Sequence, residues 1–492
     1  MAEESHGSDQ RSEGDTESIG RSGRINRRKL LKAAGTGAVV GTTTLAGCQG
    51  GGGGGDGGTT GSSGGDGNGT GGGTGSGSGE WPDLSGTEVH FLTDESSDKF
   101  TNFFQKVKQD FENDTGATVN LDLVNLGEQG PRLSQLLQAG DPPDVMQAVQ
   151  TRVVQLQNQG VAGPVNSAMS DMTERYGDPV SGTRVDVDGD DYAVPCWINP
   201  SGQWYREDLY DGDPETWDDM LQNAEKADDP NGVRGTSIPL GRALCVDSFF
   251  LAYLYTNEGR VCSRDSEGNV QCVMNQGENK QRWIETLEFF SELYQYSPTN
   301  ANAACSQQVQ AIPNETSAEA GYVGARPKVQ AVEQDTSFAG EVRASQVPQN
   351  RTPQHHANSI AYMTFQDANV KAGNAFISYL FQEKYFIDLL LLTPIHNNPS
   401  YPSIRENQAY QQGLEALPDA WTDEDIETSL AFADNILPFS QETSPPNPYA
   451  GTIYSSKLLV DVLNDATINE RDPEAIVEDY ASQIQGVIDQ AR

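Results

Sequence analysis

Two pairs of residues in this 492-residue chain carry side chains suited to hydrogen-bonding a small molecule. Asp94 and Glu95 come directly after the first predicted strand, and Gln150 and Thr151 come after the third. Ligands of open α/β sheets bind outside the carboxyl ends of the strands. We therefore expect all four residues to contact a polar solute. The alternative for Asp94 is that it only caps the following helix.

A second chemistry, covalent attachment of a lipid, is indicated at Cys48. The run Leu45-Ala-Gly-Cys48 resembles a lipobox, after which the cysteine becomes the first residue of the mature chain and its thiol carries a lipid. Upstream, the paired Arg27 and Arg28 resemble the twin-arginine export signal, which implies secretion of an already folded protein. The apolar stretch that follows is too short to span a membrane. Residues 1–47 are therefore predicted to be a signal peptide.

Residues 48–82 are predicted to be a flexible tether behind the lipidated cysteine. Between Gln49 and Gly79 the chain holds almost only Gly, Ser, Thr and Asp, which bury little apolar surface. Such a segment lets a domain move roughly 30 Å from its anchor. A lipid holds a protein to a membrane surface without spanning it. The folded part is therefore expected at the extracellular face of the cell membrane.

The charge balance excludes one class of partner. The chain has 71 acidic and 32 basic residues, a formal net charge of −39, and no basic cluster beyond the signal. Because this charge repels phosphate backbones, nucleic-acid binding is not expected. Molar salt shortens the screening length to about 3 Å and relieves the self-repulsion of such a surface. We therefore infer a halophilic, archaeal source.

Five cysteines remain after Cys48, and an exported protein permits disulfides. Cys262 and Cys272 bracket a polar turn, so a bridge between them is predicted to clip a hairpin. Cys196, Cys245 and Cys305 are left, and at least one of the five must stay free. No C-x-x-C or Cys/His spacing indicates a metal.

Strands and helices alternate at the start of the folded part, which predicts an α/β lobe with a largely parallel sheet. The predicted strands span 87–92, 119–126 and 144–148, and the helices 98–115, 131–139 and 152–159. A hairpin is predicted around Gly189, and later helices over 216–227, 279–296, 368–382, 455–464 and 473–489. The 413 residues from Glu80 to Arg492 exceed what one hydrophobic core usually serves, so two lobes are expected.

Three segments in order carry a resemblance to a known family. They are the helix end before Pro142-Pro143-Asp144, the run from Gly189 through Asn199 to Tyr205, and Pro214-Glu-Thr-Trp217. Their order and spacing resemble the sugar-type extracellular solute-binding proteins of ATP-binding-cassette importers, which include the maltose-binding protein. The resemblance covers nearly all of 88–489. Segment 297–320 departs from it, being rich in Asn, Gln and Ala where relatives have an apolar strand.

The resemblance implies an α/β, two-lobe periplasmic-binding-protein-like fold (type II) with three hinge crossings. The crossings are expected near 196–199, 355–359 and 394–402. The N-terminal lobe would comprise 83–196 and 357–398, and the C-terminal lobe 197–356 and 399–492. In this family the ligand binds in the cleft and the lobes close upon it.

The resemblance also implies roles for individual residues. Asn199 matches a family position that hydrogen-bonds sugar, and Tyr322 and Arg326 lie where the family places an aromatic ring over the sugar. Trp197 is either a stacking platform or a residue that packs at the hinge. Asp247 could reach the cleft from the C-terminal lobe or could cap the helix that follows.

Further candidates are tyrosines near the C-terminus and acceptors for glycans. Tyr449 and Tyr454 flank the entry to the penultimate helix, and one of them is expected to face the ligand. Sequences of the form Asn-x-Ser/Thr, which allow N-glycosylation, begin at four asparagines: Asn68, Asn113, Asn314 and Asn350.

Neither a metal nor a cofactor is predicted. The aspartates between Asp186 and Asp191 look like the start of a calcium loop, but that loop needs Gly at its sixth position and Glu at its twelfth, and Trp197 stands at the twelfth. The adjacent His355 and His356 would point to opposite faces of a strand.

The expected function is that of a lipid-anchored, monomeric receptor. It would capture a sugar or oligosaccharide and deliver it to the membrane subunits of an ATP-binding-cassette permease, without catalysis. The alternatives are a binding protein for a non-sugar solute such as a polyamine, thiamine or iron, and a secreted glycoside hydrolase that uses two carboxylates.

Overall fold

The computed structural model describes residues 81–125, 127–199, 202–321 and 324–492. The predicted signal peptide, the lipidated Cys48 and nearly all of the tether lie outside the described residues, and so does Tyr322.

Short strands of two to eight residues make up the sheets. Their bounds are β1 Glu88–Thr93, β2 Thr118–Leu123, β3 Val145–Val149, β4 Ala162–Gly163, β5 Asp186–Val187, β6 Asp190–Asp191, β7 Val194–Asn199, β8 Gln203–Arg206, β9 Cys262–Arg264, β10 Val270–Cys272, β11 Glu319–Gly321, β12 Val342–Ser345, β13 Asn358–Phe365 and β14 Asn398–Pro399.

The helices lie between and around these strands. Their bounds are α1 Asp98–Thr115, α2 Gln129–Ala139, α3 Gln150–Asn158, α4 Asn166–Tyr176, α5 Trp217–Ala227, α6 Leu244–Thr256, α7 Gly277–Leu293, α8 Cys305–Ala311, α9 Arg326–Glu333, α10 Val370–Leu380, α11 Glu383–Leu391, α12 Pro402–Arg405, α13 Gln408–Glu415, α14 Asp423–Ala431, α15 Ala450–Ser456, α16 Leu458–Thr467 and α17 Pro473–Ala491.

The largest sheet forms the N-terminal lobe. Its strand order is β14-β7-β13-β3-β1-β2, and β4 pairs with β13. The predicted parallel pairing is confirmed for β1 with β2 and for β1 with β3, whereas β13 runs antiparallel to β3 and β7. Phe91 and Leu92 point to opposite faces and enter separate buried clusters, so both faces of this sheet are covered.

Helix α1 shows why local sequence patterns succeed in this lobe. Phe100, Phe104, Val107 and Phe111 recur at helical spacing and are all buried against the sheet. Gly116 ends the helix in the left-handed conformation, with a φ of 74° that glycine adopts without a Cβ penalty. The prediction of a helix over 98–115 is therefore confirmed.

A three-stranded antiparallel sheet with the order β11-β8-β12 forms the centre of the C-terminal lobe. Beside it lies a buried cluster that includes Trp217, Trp283, Phe289 and Phe290, which the helical pattern predicts to be core residues. Segment 402–415 packs against α4 and α11, while α14 packs on β12, so the predicted C-terminal segment 399–492 contacts both lobes.

The chain near 455 differs from the predicted single helix over 455–464. Two helices, α15 and α16, meet at Lys457, which has a φ of 63°. The Nζ of Lys457 donates to Oδ2 of the buried Asp247 at 3.0 Å. A tertiary ion pair therefore stabilises a backbone turn that local sequence patterns do not reveal. The final helix begins at Pro473 with Asp472 as its cap, as predicted.

The predicted Cys262–Cys272 bridge is wrong. Both thiols are free, although the two residues are directly opposite each other on β9 and β10. The disulfide instead joins Cys245 at the start of α6 to Cys305 at the start of α8, with Cα atoms 5.9 Å apart. These cysteines are 60 residues apart, so only the packing of the two helices brings them together.

Within the described part of the chain, no helix has the length and apolar character needed to cross a membrane.

Candidate functional site

The candidate site lies where the chain passes between the two sheets. Strand β7 ends in the large sheet at Asn199, and β8, in the three-stranded sheet, begins at Gln203. The chain returns from β12 to β13 at Asn358, which pairs with Asn199. It passes a third time next to β14, where Asn398 donates to the carbonyl oxygens of Ser429 and Leu430. The asparagines Asn199, Asn358 and Asn398 thus mark three neighbouring crossings.

An acidic pair stands beside these crossings at the carboxyl end of β1. Asp94 and Glu95 are both half-buried, and the cap of α1 is Ser97, so Asp94 does not cap that helix. Burial raises the pKa of Asp94. Burial, and then the charge of Asp94, raise the pKa of Glu95 to about 7, although Arg326 and Lys99 oppose the rise.

Arg326 approaches this acidic pair from the C-terminal lobe. It is the first residue of α9, which follows β11, and it is exposed. Its charge acts on Glu95, yet Arg326 forms no ion pair with any described carboxylate. Glu95 and Arg326 therefore act on each other through their charges, and no hydrogen bond or ion pair joins the two side chains among the described residues.

His396 is a site residue that the sequence patterns miss. Its Nε2 lies 3.4 Å from Nη2 of Arg326. Because a guanidinium only donates, Nε2 accepts, and the neutral ring carries its proton on Nδ1. That Nδ1 is buried and has no partner among the described residues. Burial lowers the pKa of His396 to about 3, and the charges of Arg326 and Lys99 act in the same direction.

The backbone on either side of the imidazole explains its position. Ile395 has a φ of 69°, a conformation that is strained for a β-branched residue. Gly324 has a φ of 58° and lies so close to the ring that a Cβ atom there would overlap Nδ1. No sequence motif signals either feature.

Lys99 fixes the segment before His396 to the N-terminal lobe. From the first turn of α1, its Nζ donates to the carbonyl oxygen of Leu392 at 2.7 Å and to Oγ1 of Thr393 at 2.9 Å. Lys99 therefore holds the backbone that precedes His396 in place, and its charge lowers the pKa of Glu95.

Gln150 and Thr151 begin α3 at the same edge of the large sheet, but both are buried. The Nε2 of Gln150 donates to the carbonyl oxygen of Gly182 at 2.6 Å. These side chains thus contribute to packing within the lobe.

Trp197 and Asn199 bond to each other. The Nε1 of Trp197 donates to Oδ1 of Asn199 at 3.0 Å. Trp197 is only 1% exposed and belongs to the core of the large sheet, which favours hinge packing over a stacking platform.

The remaining candidates in the C-terminal lobe are not brought to the acidic pair. Asp247 is fully buried in its pair with Lys457, and burial raises its pKa to about 7. The hydroxyl of Tyr454 lies 2.9 Å from Nε2 of the buried His356. Tyr449 is half-buried and lines a separate cavity of about 230 Å³ together with Arg264.

The predicted hairpin forms at Gly189, and Asp191 pairs with Arg184. Among the residues that the structure describes, no group of three or more His, Cys, Asp and Glu side chains could hold a metal ion. The structure therefore brings together Asp94, Glu95 and Arg326 from the sequence-based candidates, and adds Lys99 and His396.

Comparisons with known proteins agree with this architecture. The profile of the family described as bacterial extracellular solute-binding protein matches residues 97–385, more than half of the chain. Proteins of Brucella abortus (strain 2308) and Brucella suis biovar 1 (strain 1330), both named as binding proteins, are 27% identical over 147 residues. The match covers 28% of this chain and 35% of each relative, so the chain spans about a third of the length of these relatives.

Solved structures match over most of the chain. The sugar-binding protein MalE of Xanthomonas citri has a TM-score of 0.66 at 16% identity, covering 82% of this chain and 98% of that one. The GacH receptor of Streptomyces glaucescens GLA.O, solved unliganded and with acarbose, has a TM-score of 0.65 at 16% identity. The match covers 83% of this chain and 99% of the receptor. Maltose-bound MalE3 of T. maritima has a TM-score of 0.64 at 17% identity, and the match covers 82% of this chain and 100% of MalE3. These similarities confirm the predicted two-lobe α/β fold.

Proposed function

This chain belongs to the family of bacterial extracellular solute-binding proteins, and we propose that it captures a sugar or oligosaccharide between its lobes. It then delivers this ligand, chemically unchanged, to the membrane subunits of an ATP-driven permease. The maltose and acarbose bound by two similar proteins support a sugar as the ligand.

One observation carries the proposal: Glu95, after β1, and Arg326, at the start of α9, act on each other through their charges without forming an ion pair. A carboxylate and a guanidinium both make paired hydrogen bonds to neighbouring hydroxyl groups. A ligand that bridges these groups makes all of its contacts only when the lobes are close together, so binding shifts the protein toward a closed state.

The proposal includes the location of the receptor. A twin-arginine signal exports the folded chain, a lipid on Cys48 anchors it, and the Gly-rich tether lets a monomer reach the permease from the extracellular face of the membrane. The disulfide between Cys245 and Cys305 supports an oxidising location outside the cell.

The acidic pair Asp94 and Glu95 also suits a cationic solute, so a polyamine is the second candidate ligand. Two neighbouring carboxylates attract amines, and their raised pKa values would return toward normal once a cation binds.

A thermal-shift screen in molar salt tests both ligand classes. Sugars, polyols and polyamines are added singly, and a ligand at about 100 times its dissociation constant adds about 2.7 kcal/mol to the free energy of unfolding. We expect stabilisation by a sugar. Stabilisation by polyamines alone would replace the sugar proposal, and hydrolysis products in the same mixtures would indicate a glycoside hydrolase.

Variants at the site show whether the stabilising ligand binds there. Because a hydrogen bond to a charged group contributes about 1.5–3 kcal/mol, we expect Glu95→Gln and Arg326→Gln each to weaken binding about 10- to 100-fold in titration calorimetry. The matched controls are Glu88→Gln, at the other end of β1, and Arg471→Gln, in a surface ion pair. Unchanged affinity in both site variants would place the ligand elsewhere.

A further inference from the structure

Three of the four predicted glycan acceptors lie in the described part of the chain, and their surroundings differ. Under the proposed export route the chain folds before it leaves the cell, so a glycan can be added only where the folded surface presents the acceptor. The asparagine amide and the hydroxyl two residues later must then both be accessible. This criterion separates Asn113, Asn350 and Asn314.

Asn113 does not meet the criterion because the hydroxyl of Thr115, two residues later, is buried. It lies in the last turn of α1, and Thr115 is buried at 3% exposure. The Oγ1 of Thr115 donates to the carbonyl oxygen of Phe111 at 2.7 Å and accepts from the amide of Ala117 at 3.2 Å. Its hydroxyl is fully used inside the fold.

Asn350 does not meet the criterion because its side-chain amide is already hydrogen-bonded. The Nδ2 of Asn350 donates to Oδ1 of Asn257 at 2.8 Å, and the same oxygen accepts from Nε of Arg351. Asn257 also donates to Glu285 at 3.2 Å, so the amide of Asn350 belongs to a polar network between two segments.

Asn314 meets both conditions. It follows α8 in an irregular turn, where Glu315 has a φ of 53°, and Asn314, Glu315 and Thr316 are all exposed. The side chain of Asn314 has no hydrogen-bond partner among the described residues. The Oγ1 of Thr316 donates to the carbonyl oxygen of Ala311 at 2.9 Å and accepts no hydrogen bond from a described residue.

The surface beside Asn314 suits a sugar chain. Asn314 borders a groove of about 390 Å³ lined by Pro298, Asn300, Gln307 and Gln310 among others, with no acidic or basic side chain. The lining of this groove carries no charge although the chain has 71 acidic residues. Amide groups and small apolar side chains match the hydroxyls and C–H faces of a neutral glycan.

We propose that Asn314 carries an N-linked glycan that lies along this groove. The Nδ2 of Asn314 forms a bond to the anomeric carbon of a glycan supplied as a lipid phosphate ester. The bond between that carbon and the phosphate oxygen breaks, the lipid phosphate leaves with the electron pair, and the amide gives up one proton to the leaving phosphate or to solvent. No oxidation or reduction takes place.

Mass spectrometry of the full chain purified from the cells that make it tests this site. We expect the proteolytic peptide that contains Asn314 to carry the added mass of a glycan, and the peptides with Asn113 and Asn350 to have their unmodified masses. An Asn314 peptide found only at its unmodified mass overturns the proposal. Because mass is measured without any transported solute, this outcome is independent of the proposed sugar binding.

Variants separate this site from other modifications of the same peptide. Asn314→Gln and Thr316→Ala should both remove the added mass, whereas Thr316→Ser should keep it, since serine also completes the acceptor sequence. The matched control, Thr352→Ala in the Asn350 sequence, should change nothing. Added mass that survives Thr316→Ala would show that it is not an N-linked glycan on Asn314 and would refute the assignment.

Discussion

At the scale of single residues, Glu319 shows how burial sets a protonation state. It lies on β11 and is fully buried. One carboxylate oxygen accepts from Oγ1 of Thr236 at 2.6 Å, and the other has no partner among the described residues. Burial raises the pKa of Glu319 to about 8, so the folded protein holds this group as a neutral acid at pH 7.

The raised pKa predicts the sign of a pH effect on stability. Between the normal pKa of 4.5 and about 8 the folded state binds a proton that the unfolded state has lost, so the contribution of Glu319 is complete below pH 4.5 and is lost as the pH rises through 8. We expect Glu319→Gln, which imitates the neutral acid, to become about 4 kcal/mol more stable relative to the wild type as the pH rises from 5 to 9.

Denaturant unfolding in molar salt at both pH values measures this difference. The exposed Glu88→Gln serves as the matched control and should follow the wild type at each pH. A Glu319→Gln variant with the same pH dependence as the wild type would show that Glu319 is ionised in the folded protein.

The sequence predicts some of the individual residues of the candidate site and misses others. Glu95 is found because it follows a predicted strand, and Arg326 is found because the family resemblance places it beside the sugar. Asp247 forms an ion pair with Lys457, which is 210 positions away in the chain. The residues around Asp247 in the sequence therefore give no indication of this contact. His396 depends on the backbone of Ile395 and on the missing side chain at Gly324, which are properties of the folded chain.

At the scale of elements, helix ends and apolar spacing give reliable predictions because their causes are local. The helix predicted over 98–115 and the capped start at Pro473 both occur as predicted. The break at Lys457 and the Cys245–Cys305 bridge have tertiary causes, and the sequence patterns miss both. In each case the deciding partner lies far away in the chain.

The disulfide that joins α6 and α8 is expected to stabilise the folded protein. Closing a loop of 60 residues lowers the entropy of the unfolded chain, which corresponds to about 4 kcal/mol of stability at 25 °C. The double variant Cys245→Ala and Cys305→Ala should lose about that much in denaturant unfolding. A reducing agent should destabilise the wild type to a similar extent and leave the variant unchanged, whereas a wild type that is insensitive to reduction would contradict the bridge.

At the scale of the whole molecule, the net charge of −39 predicts a strong dependence on salt. Repulsion among so many carboxylates opposes the compact state, and it falls as the screening length decreases from about 10 Å at 0.1 M to about 3 Å at 1 M. We expect the thermal midpoint to rise steeply between 0.1 M and 2 M potassium chloride and to rise similarly in sodium chloride. A midpoint independent of salt would contradict this account of the acidic surface.

The central claim also belongs to this scale: two lobes, joined by three crossings, close on a sugar held between Glu95 and Arg326. Small-angle X-ray scattering on the full chain, with and without the sugar that stabilises it most, tests the claim directly. The account predicts that the radius of gyration falls when that sugar is added and stays constant for Arg326→Gln at the same sugar concentration. A bound sugar that leaves the radius of gyration of the wild type unchanged would contradict it.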